Sequence, residues 1–215
     1  MKVSLNALTA TEIADGIVSG KFSAEAVTRA CIDRIDEREE TVGAWAFFDP
    51  DLALEQARSV DAAAKKGVIA GVPVGIKDII DTQDMPTGMG SALYEYHQPL
   101  IDATCVARLK AAGAVIMGKT VTCEFAGLTA GKTTNPHDPS RTPGGSSSGS
   151  SAAVSDKMAP VALGTQTGGS IIRPSSYCGI IGFKPSFDTL SLKGVFPAAE
   201  SLDTLGLHAR SLDDI

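Results

Sequence analysis

No apolar run in this chain approaches the ~18 residues that a membrane span needs. The opening Met1-Lys2-Val3-Ser4-Leu5-Asn6 lacks the apolar stretch of a secretory leader. Positive charge is not in excess: 19 Lys and Arg against 25 Asp and Glu leave a net −6, so the electrostatic footprint for nucleic acid or anionic lipid is missing. Cys31, Cys105, Cys123 and Cys178 stand far apart with no CxxC pair, which fits a reducing compartment better than a disulfide framework. Histidine is scarce. His97, His137 and His208 lie in polar or loop contexts without an i, i+4 partner, so nothing marks them for zinc, and surface or capping places are expected. Sequence order alone leaves a Ser-His-Asp arrangement open, though nothing singles out these histidines for it. These absences describe a cytoplasmic protein in which neither metal nor cofactor is expected.

The chain has enough apolar material for one sizeable domain: 215 residues, 43% hydrophobic and 20% charged, burying roughly 70% of the extended surface. Thr9-Ala10-Thr11-Glu12 reads as a capping box opening a short helix that Gly20 closes. Ser23 caps a second helix with Ala26, Val27, Ala30, Cys31 and Ile35 on one face. Pro50 starts a third, which carries Leu52, Leu54, Ala57 and Val60 and ends near Gly67. Residues 71–80 turn apolar and β-branched, predicting a buried strand with Lys77 on or just after it. An amphipathic helix over 102–112 leads through Gly113 into a strand over 114–117. Residues 129–149 have the composition of a long loop; a small-residue helix (Ser151-Ala152-Ala153-Val154) and a strand over 161–164 follow. Helices alternating with apolar strands predict an α/β fold, a layered sheet flanked by helices. Ser211-Leu212-Asp213-Asp214-Ile215 reads as a first helical turn without its C-cap, so the expectation is a piece of a longer protein.

Two glycine-serine knots stand out, Gly144-Gly145-Ser146-Ser147-Ser148-Gly149-Ser150-Ser151 and Gly168-Gly169-Ser170. Glycine lets backbone N–H groups come close to a developing oxyanion, and serine is a nucleophile when a base lies within hydrogen-bond reach. A flexible linker has a similar composition, but here apolar helix and strand patterns enclose the knots on both sides. Lys77 sits among Val72, Val74, Ile76, Ile79 and Ile80, where a charged amine is costly. Either it snorkels or pairs with Asp78 or Asp81, or burial depresses its pKa and makes it a neutral base. Residues 113–120 match GxxxxGK[ST] literally, but the four variable positions are themselves strand, and apolar ladder residues cannot wrap a phosphate. Nucleotide binding is therefore kept only as a minor reading.

From about Gly71 to Asp203 the residues resemble the amidase signature family. The match runs through Gly71-Val72-Pro73-Val74-Gly75-Ile76-Lys77-Asp78, Gly118-Lys119-Thr120, Glu124-Phe125-Ala126, residues 143–150, residues 164–174, Cys178-Gly179, Gly182-Phe183-Lys184-Pro185 and Ser201-Leu202-Asp203. The resemblance implies the amidase signature fold and a Ser–cis-Ser–Lys triad that hydrolyses amides through an acyl-enzyme. Ser170 would be the nucleophile, Ser146 the bridging serine after a cis Gly145–Ser146 peptide, and Lys77 the base. Backbone N–H groups of Thr167, Gly168, Gly169 and Ser170 would form the oxyanion hole. Gln166, where the family commonly has Asp, and Arg173, one position later than the common arginine, look like the malonamidase branch, as do residues 78–82, 85–87 and 89–91. In that branch the arginine holds a substrate carboxylate, a role that suits a guanidinium fork; a tie from helix to neighbouring loop is its structural counterpart. Arg173 and Thr165 are thus the expected substrate-binding residues.

The leading expectation is an amidohydrolase acting on malonamate, carboxybiuret, allophanate or a similar carboxylate-bearing amide. The alternatives are a glutaminase-type subunit of a tRNA-dependent amidotransferase and a truncated, non-catalytic fragment. Residues 1–215 are expected to form a single amidase signature domain, the N-terminal half of a longer catalytic domain, with a helical segment over 1–67 and a catalytic core over 71–205. The expected partners are a small-molecule amide and, in a homodimer, a second copy; nucleic acid and membrane are not expected.

Overall fold

In the computed structural model, which describes residues 4–215, the first helix is held by the predicted capping box. The Thr9 hydroxyl accepts from the Glu12 N–H at 3.1 Å and the Glu12 carboxylate accepts from the Thr9 N–H at 2.9 Å, opening α1 (Ala10–Val18). Ser23 caps α2 (Ala24–Val42), and Asp61 reaches across to accept from the N–H groups of Ala24 and Glu25. Pro50 begins α3 (Pro50–Ala62) behind Asp49, whose carboxylate accepts from Asp51 and Leu52. Each such cap is worth about 1 kcal/mol. The third helix stops at Ala62 instead of running on toward Gly67: the Ala63 N–H closes on the Val60 carbonyl, and Lys66 folds back so that its ammonium donates to the carbonyls of Val60 and Asp61.

The first 67 residues are not helical throughout. After Gly43, left-handed at φ 60°, they supply β1 (Trp45–Phe48), which pairs antiparallel with β3. The sheet has six strands: β2 (Pro73–Lys77), β3 (Val115–Thr120), β4 (Val161–Gln166), β5 (Ile181–Phe183) and β6 (Thr204–Ala209) complete it, in the order β1-β3-β2-β4-β6-β5. β2 runs parallel to β3 and β4 on its two sides, while β6 pairs antiparallel with β4 and β5. β2, β3 and β4 are buried from end to end, which is why they read as continuous apolar runs. The β2–β3 ladder slips between Val74 and Gly75, and Gln56 of α3 takes both backbone groups of Ile116 there (3.0 and 3.1 Å), so neither is left unpaired.

α4 (Thr104–Ala111) precedes β3, α5 (Ser148–Ser155) precedes β4, and α6 (Ile172–Tyr177) follows it. The long loop ends earlier than expected, since α5 begins within the serine run. α5 is buried although four of its eight residues are serines. Ser150 donates to the Leu163 carbonyl (2.8 Å) and meets Thr120 Oγ1 (2.6 Å), while Ser151 donates back to the Ser147 carbonyl (3.1 Å), so hydroxyls that water would otherwise solvate are satisfied inside. Gly149 permits the close seat: a Cβ there would fall 2.2 Å from the Ala44 carbonyl oxygen and 2.3 Å from the Val121 nitrogen. Asp156 at the end of α5 is clamped by Arg34 and Arg38 of α2 at 2.7 and 2.9 Å. The closing residues form a 3-10 turn, Leu212–Asp214, capped by Ser211.

Candidate active site

The carboxyl ends of the parallel strands meet at one place, where ligands of α/β sheets are usually bound. Lys77 is the last residue of β2, pairs in register with Thr120 of β3, and has no solvent exposure. Its Nζ donates to Ser146 Oγ at 2.8 Å and to Thr165 Oγ1, near the end of β4, at 2.8 Å. No carboxylate among the described residues forms an ion pair with it. Burial therefore dominates and pushes the amine from 10.5 down to about 7, opposed by the more distant Cys123 and Asp203. Neither snorkelling nor an acidic partner among the described residues accounts for the place of Lys77.

Ser146 is delivered by the loop that enters α5. The Gly145–Ser146 peptide is cis, and the Ser146 carbonyl accepts from the Cys123 N–H at 3.0 Å. Arg173 grips the other side of this peptide, its Nε and Nη2 donating to the Gly145 carbonyl at 3.1 and 2.6 Å. Arg173 is thus a tie from α6 to the loop, by a carbonyl contact and not a salt bridge. Its Nη1 has no protein partner among the described residues, and the side chain lines a cavity of about 310 Å³ with Cys123, Leu128, Gly145 and Tyr177.

Ser170 lies in the turn between β4 and α6. Its carbonyl accepts from the Ser147 N–H at 3.3 Å, which sets the two serine loops side by side, and its half-buried hydroxyl has no hydrogen-bond partner among the described residues. The N–H groups of Thr167, Gly168, Gly169 and Ser170 likewise donate to no acceptor among the described residues. The loop is shaped from both ends. Gln166 Oε1 accepts from the N–H groups of Ile171 and Ile172 (2.8 and 3.0 Å), so the amide found in place of the common Asp serves as a cap. Asp203 accepts from the Thr167 hydroxyl and from the N–H groups of Ala198 and Ala199, both at 2.8 Å.

Thr165, expected to bind substrate, spends its hydroxyl on Lys77, because β4 presents it toward the strand that carries the amine. It also borders a mainly apolar cavity of about 330 Å³ with Ile79, Val195, Phe196 and Asp203. Sequence reasoning missed the anchoring part of Asp203 although Ser201-Leu202-Asp203 stood among the matching residues. The expected surface or capping place holds for His97 and His137, both exposed, and fails for His208. His137 bridges loop to helix end, its Nε2 2.9 Å from the Cys178 carbonyl oxygen, and His208 is fully buried in β6 because that strand is covered on both sides. Residues 115–120 of the GxxxxGK[ST] match are buried strand, and Lys119 turns inward to Thr87 (2.6 Å), the Pro86 carbonyl (3.0 Å) and Asp78 (3.3 Å). No group of three or more His, Cys, Asp or Glu is arranged for a metal among the described residues. No described helix is long and apolar enough to cross a membrane.

Residues 26–215 match the family profile described as Amidase. A glutamyl-tRNA(Gln) amidotransferase subunit from Thermobifida fusca is 47% identical over 217 residues, covering 96% of this chain and 44% of the relative. The native peptide amidase of Stenotrophomonas maltophilia superposes with a TM-score of 0.91 at 34% identity, over 97% of this chain and 46% of that one. A chain from a vestigial protein complex bearing on the origins of an s-triazine catabolic enzyme gives a TM-score of 0.92 at 36% identity, over 96% and 48%. The chain thus spans about half the length of the proteins it matches.

Proposed function

The chain belongs to the Amidase family, and from that membership together with the contact between Lys77 and Ser146 we propose that it hydrolyses the C–N bond of an amide. The observation that carries the reading is a buried amine, depressed to about 7, which donates to two hydroxyls and to no carboxylate. A neutral Lys77 takes the proton of Ser146, which takes that of Ser170 as the Ser170 oxygen attacks the carbonyl. In this structure Ser170 is not yet bonded to Ser146, as is common before substrate tightens a site. The unengaged N–H groups of residues 167–170 receive the oxyanion, each effective donor worth roughly 3–4 kcal/mol. Collapse of the tetrahedral intermediate breaks the C–N bond, and Lys77 returns the proton through Ser146 to the leaving ammonia or amine. Water then releases the acyl group from Ser170 by the same relay.

The substrate we propose is a small amide bearing a carboxylate, such as malonamate, carboxybiuret or allophanate, held by the free face of Arg173 in the cavity beside Gly145. A second reading, the glutamine-hydrolysing subunit of a tRNA-dependent amidotransferase, is favoured by the 47% identity to an amidotransferase chain. The four described cysteines are free, which supports the cytoplasmic placement. Ammonia release by the complete gene product from malonamate, carboxybiuret, allophanate, asparagine and glutamine separates the readings. Turnover of the first three without a partner supports the small-amide reading, and turnover of glutamine alone supports the second. Ser170→Ala should abolish release, and retained kcat would remove the nucleophile. Arg173→Ala should raise KM for carboxylate-bearing amides more than for neutral ones; equal effects would remove the clamp.

A further inference from the structure

One buried titratable side chain next to the site has no part in the relay. His208 of β6 has no solvent exposure, and its Nδ1 lies 2.8 Å from Ser175 Oγ in α6, the helix that follows Ser170. Its Nε2 has no hydrogen-bond partner among the described residues. A buried nitrogen left that way costs about 1–3 kcal/mol, so a core that keeps one invites a reason.

The surroundings supply one. A Cβ on Gly164 would fall 2.4 Å from His208 Nε2 and 2.9 Å from Ser147 Oγ. The missing side chain at 164 therefore opens a gap that the imidazole edge enters from β6 and the Ser147 hydroxyl enters from the loop before α5. Ser147 directly follows Ser146, its N–H donates to the Ser170 carbonyl, and its hydroxyl makes only a long 3.3 Å contact with the Thr165 carbonyl. One ring thus stands between the helix behind Ser170 and the residue beside Ser146.

We propose that His208 is a positioning residue, whose imidazole bridges Ser175 and Ser147 through the gap at Gly164 and so sets the separation of Ser146 from Ser170. The role rests on the amidase reading above. In the tautomer with the proton on Nε2, the Ser175 O–H donates to Nδ1, Nε2–H faces the gap at Gly164 that the Ser147 hydroxyl also borders, and Ser147 keeps its own proton for Thr165. Burial and the neighbouring Lys77 push His208 down to about 3, so the ring adds no charge beside the amine at working pH. The bridge acts by geometry, where a displacement of about 1 Å costs about a hundredfold in rate.

The test follows sulfonylation of the complete gene product by phenylmethylsulfonyl fluoride, read by intact and peptide mass. In that step the bond from Ser170 Oγ to sulfur forms, the S–F bond breaks, fluoride leaves, and the hydroxyl proton passes through Ser146 to Lys77. His208→Phe keeps the ring volume without either nitrogen and should slow labelling of Ser170 about tenfold to a hundredfold. The pH midpoint should stay where it is in the unaltered protein, because the lost ring was neutral. Ser175→Ala and Ser147→Ala, which leave the imidazole in place, should each slow labelling less, and they carry the test if His208→Phe does not fold. Labelling of Ser170 at the unaltered rate in folded His208→Phe, or in both serine variants, overturns the bridge. Undiminished labelling in Ser170→Ala tells against the amidase reading instead. The imidazole nitrogens report independently of either: ¹⁵N spectra should show a proton on Nε2 and no titration above pH ~5, and a ring titrating near its ordinary value of about 6.5 overturns the proposal.

Discussion

Two lysines are fully buried at the ends of neighbouring strands, in the same few ångströms of sheet, and their surroundings are opposite. Lys119 of β3 aligns with Ile76, and Lys77 of β2 aligns with Thr120, so alternation sends the two side chains to different faces. Lys119 meets a carboxylate, Asp78, at 3.3 Å, along with a hydroxyl and a carbonyl; burial lowers its pKa, and Asp78, Asp81 and Asp84 oppose that. Lys77 meets two hydroxyls and no carboxylate, and burial prevails, bringing it to about 7. Desolvation alone does not make a base. The companion decides, and the adjacent residues Lys77 and Asp78 divide the work: one amine to lose a proton, one carboxylate to hold the other lysine and, through Gly88, the loop before residue 91.

Replacing each lysine by methionine breaks the comparison most sharply. Lys77→Met should cut kcat by about 10²–10⁴-fold while leaving the fold as stable or more stable, since a poorly compensated amine is removed. Below pH 7 the buried Lys77 carries its full desolvation cost, roughly 5 kcal/mol for a shift from 10.5 to about 7. The unfolded chain binds the extra proton between those values, so the stability deficit shrinks as pH rises from 7 to 10.5. Urea unfolding of the variant should lack that slope. Lys119→Met should do the reverse, losing about 3–5 kcal/mol of stability because Asp78 is left buried without its partner. Adding Asp78→Asn should recover much of the loss. Equal stability changes in the two single variants would erase the distinction.

Thr165→Val sharpens the comparison by removing one of the two acceptors on Lys77. A hydroxyl acceptor favours the ammonium form, so its loss should move the pH midpoint of kcat/KM below that of the unaltered protein, an effect of about 0.5–1.5 kcal/mol. An unmoved midpoint would assign Thr165 to substrate alone.

The local chemistry of the chain was readable where one short segment decides the outcome. Thr9 with Glu12, Ser23 and Pro50 each start a helix where their side chains dictate, and the continuous apolar runs at 71–80, 114–117 and 161–164 become the three central strands. Lys77 was legible for the same reason, as one charge in an apolar run. Elements that exist only by virtue of distant partners were not. β1 and β5 are short strands, and they and β6 owe their pairing to partners across the sheet; the early end of α3 goes with Lys66 turning back. The same holds for side chains. His208 looked like a loop residue because nothing in Leu207-His208-Ala209 announces that β4 and β5 flank it, and Asp203 showed its place only once Thr167 and Ala198 were beside it. The two serine knots were recognised by composition, but their adjacency is a product of the fold.

The account stands on an amine that burial, with no carboxylate partner to oppose it, brings down to about 7. Direct titration of Lys77 Nζ in protein carrying ¹³C at the lysine ε-carbons, with its resonance assigned through Lys77→Arg, measures this without any substrate. The predicted midpoint is near 7; a midpoint of about 9.5 or above, close to that of an ordinary lysine, would contradict it.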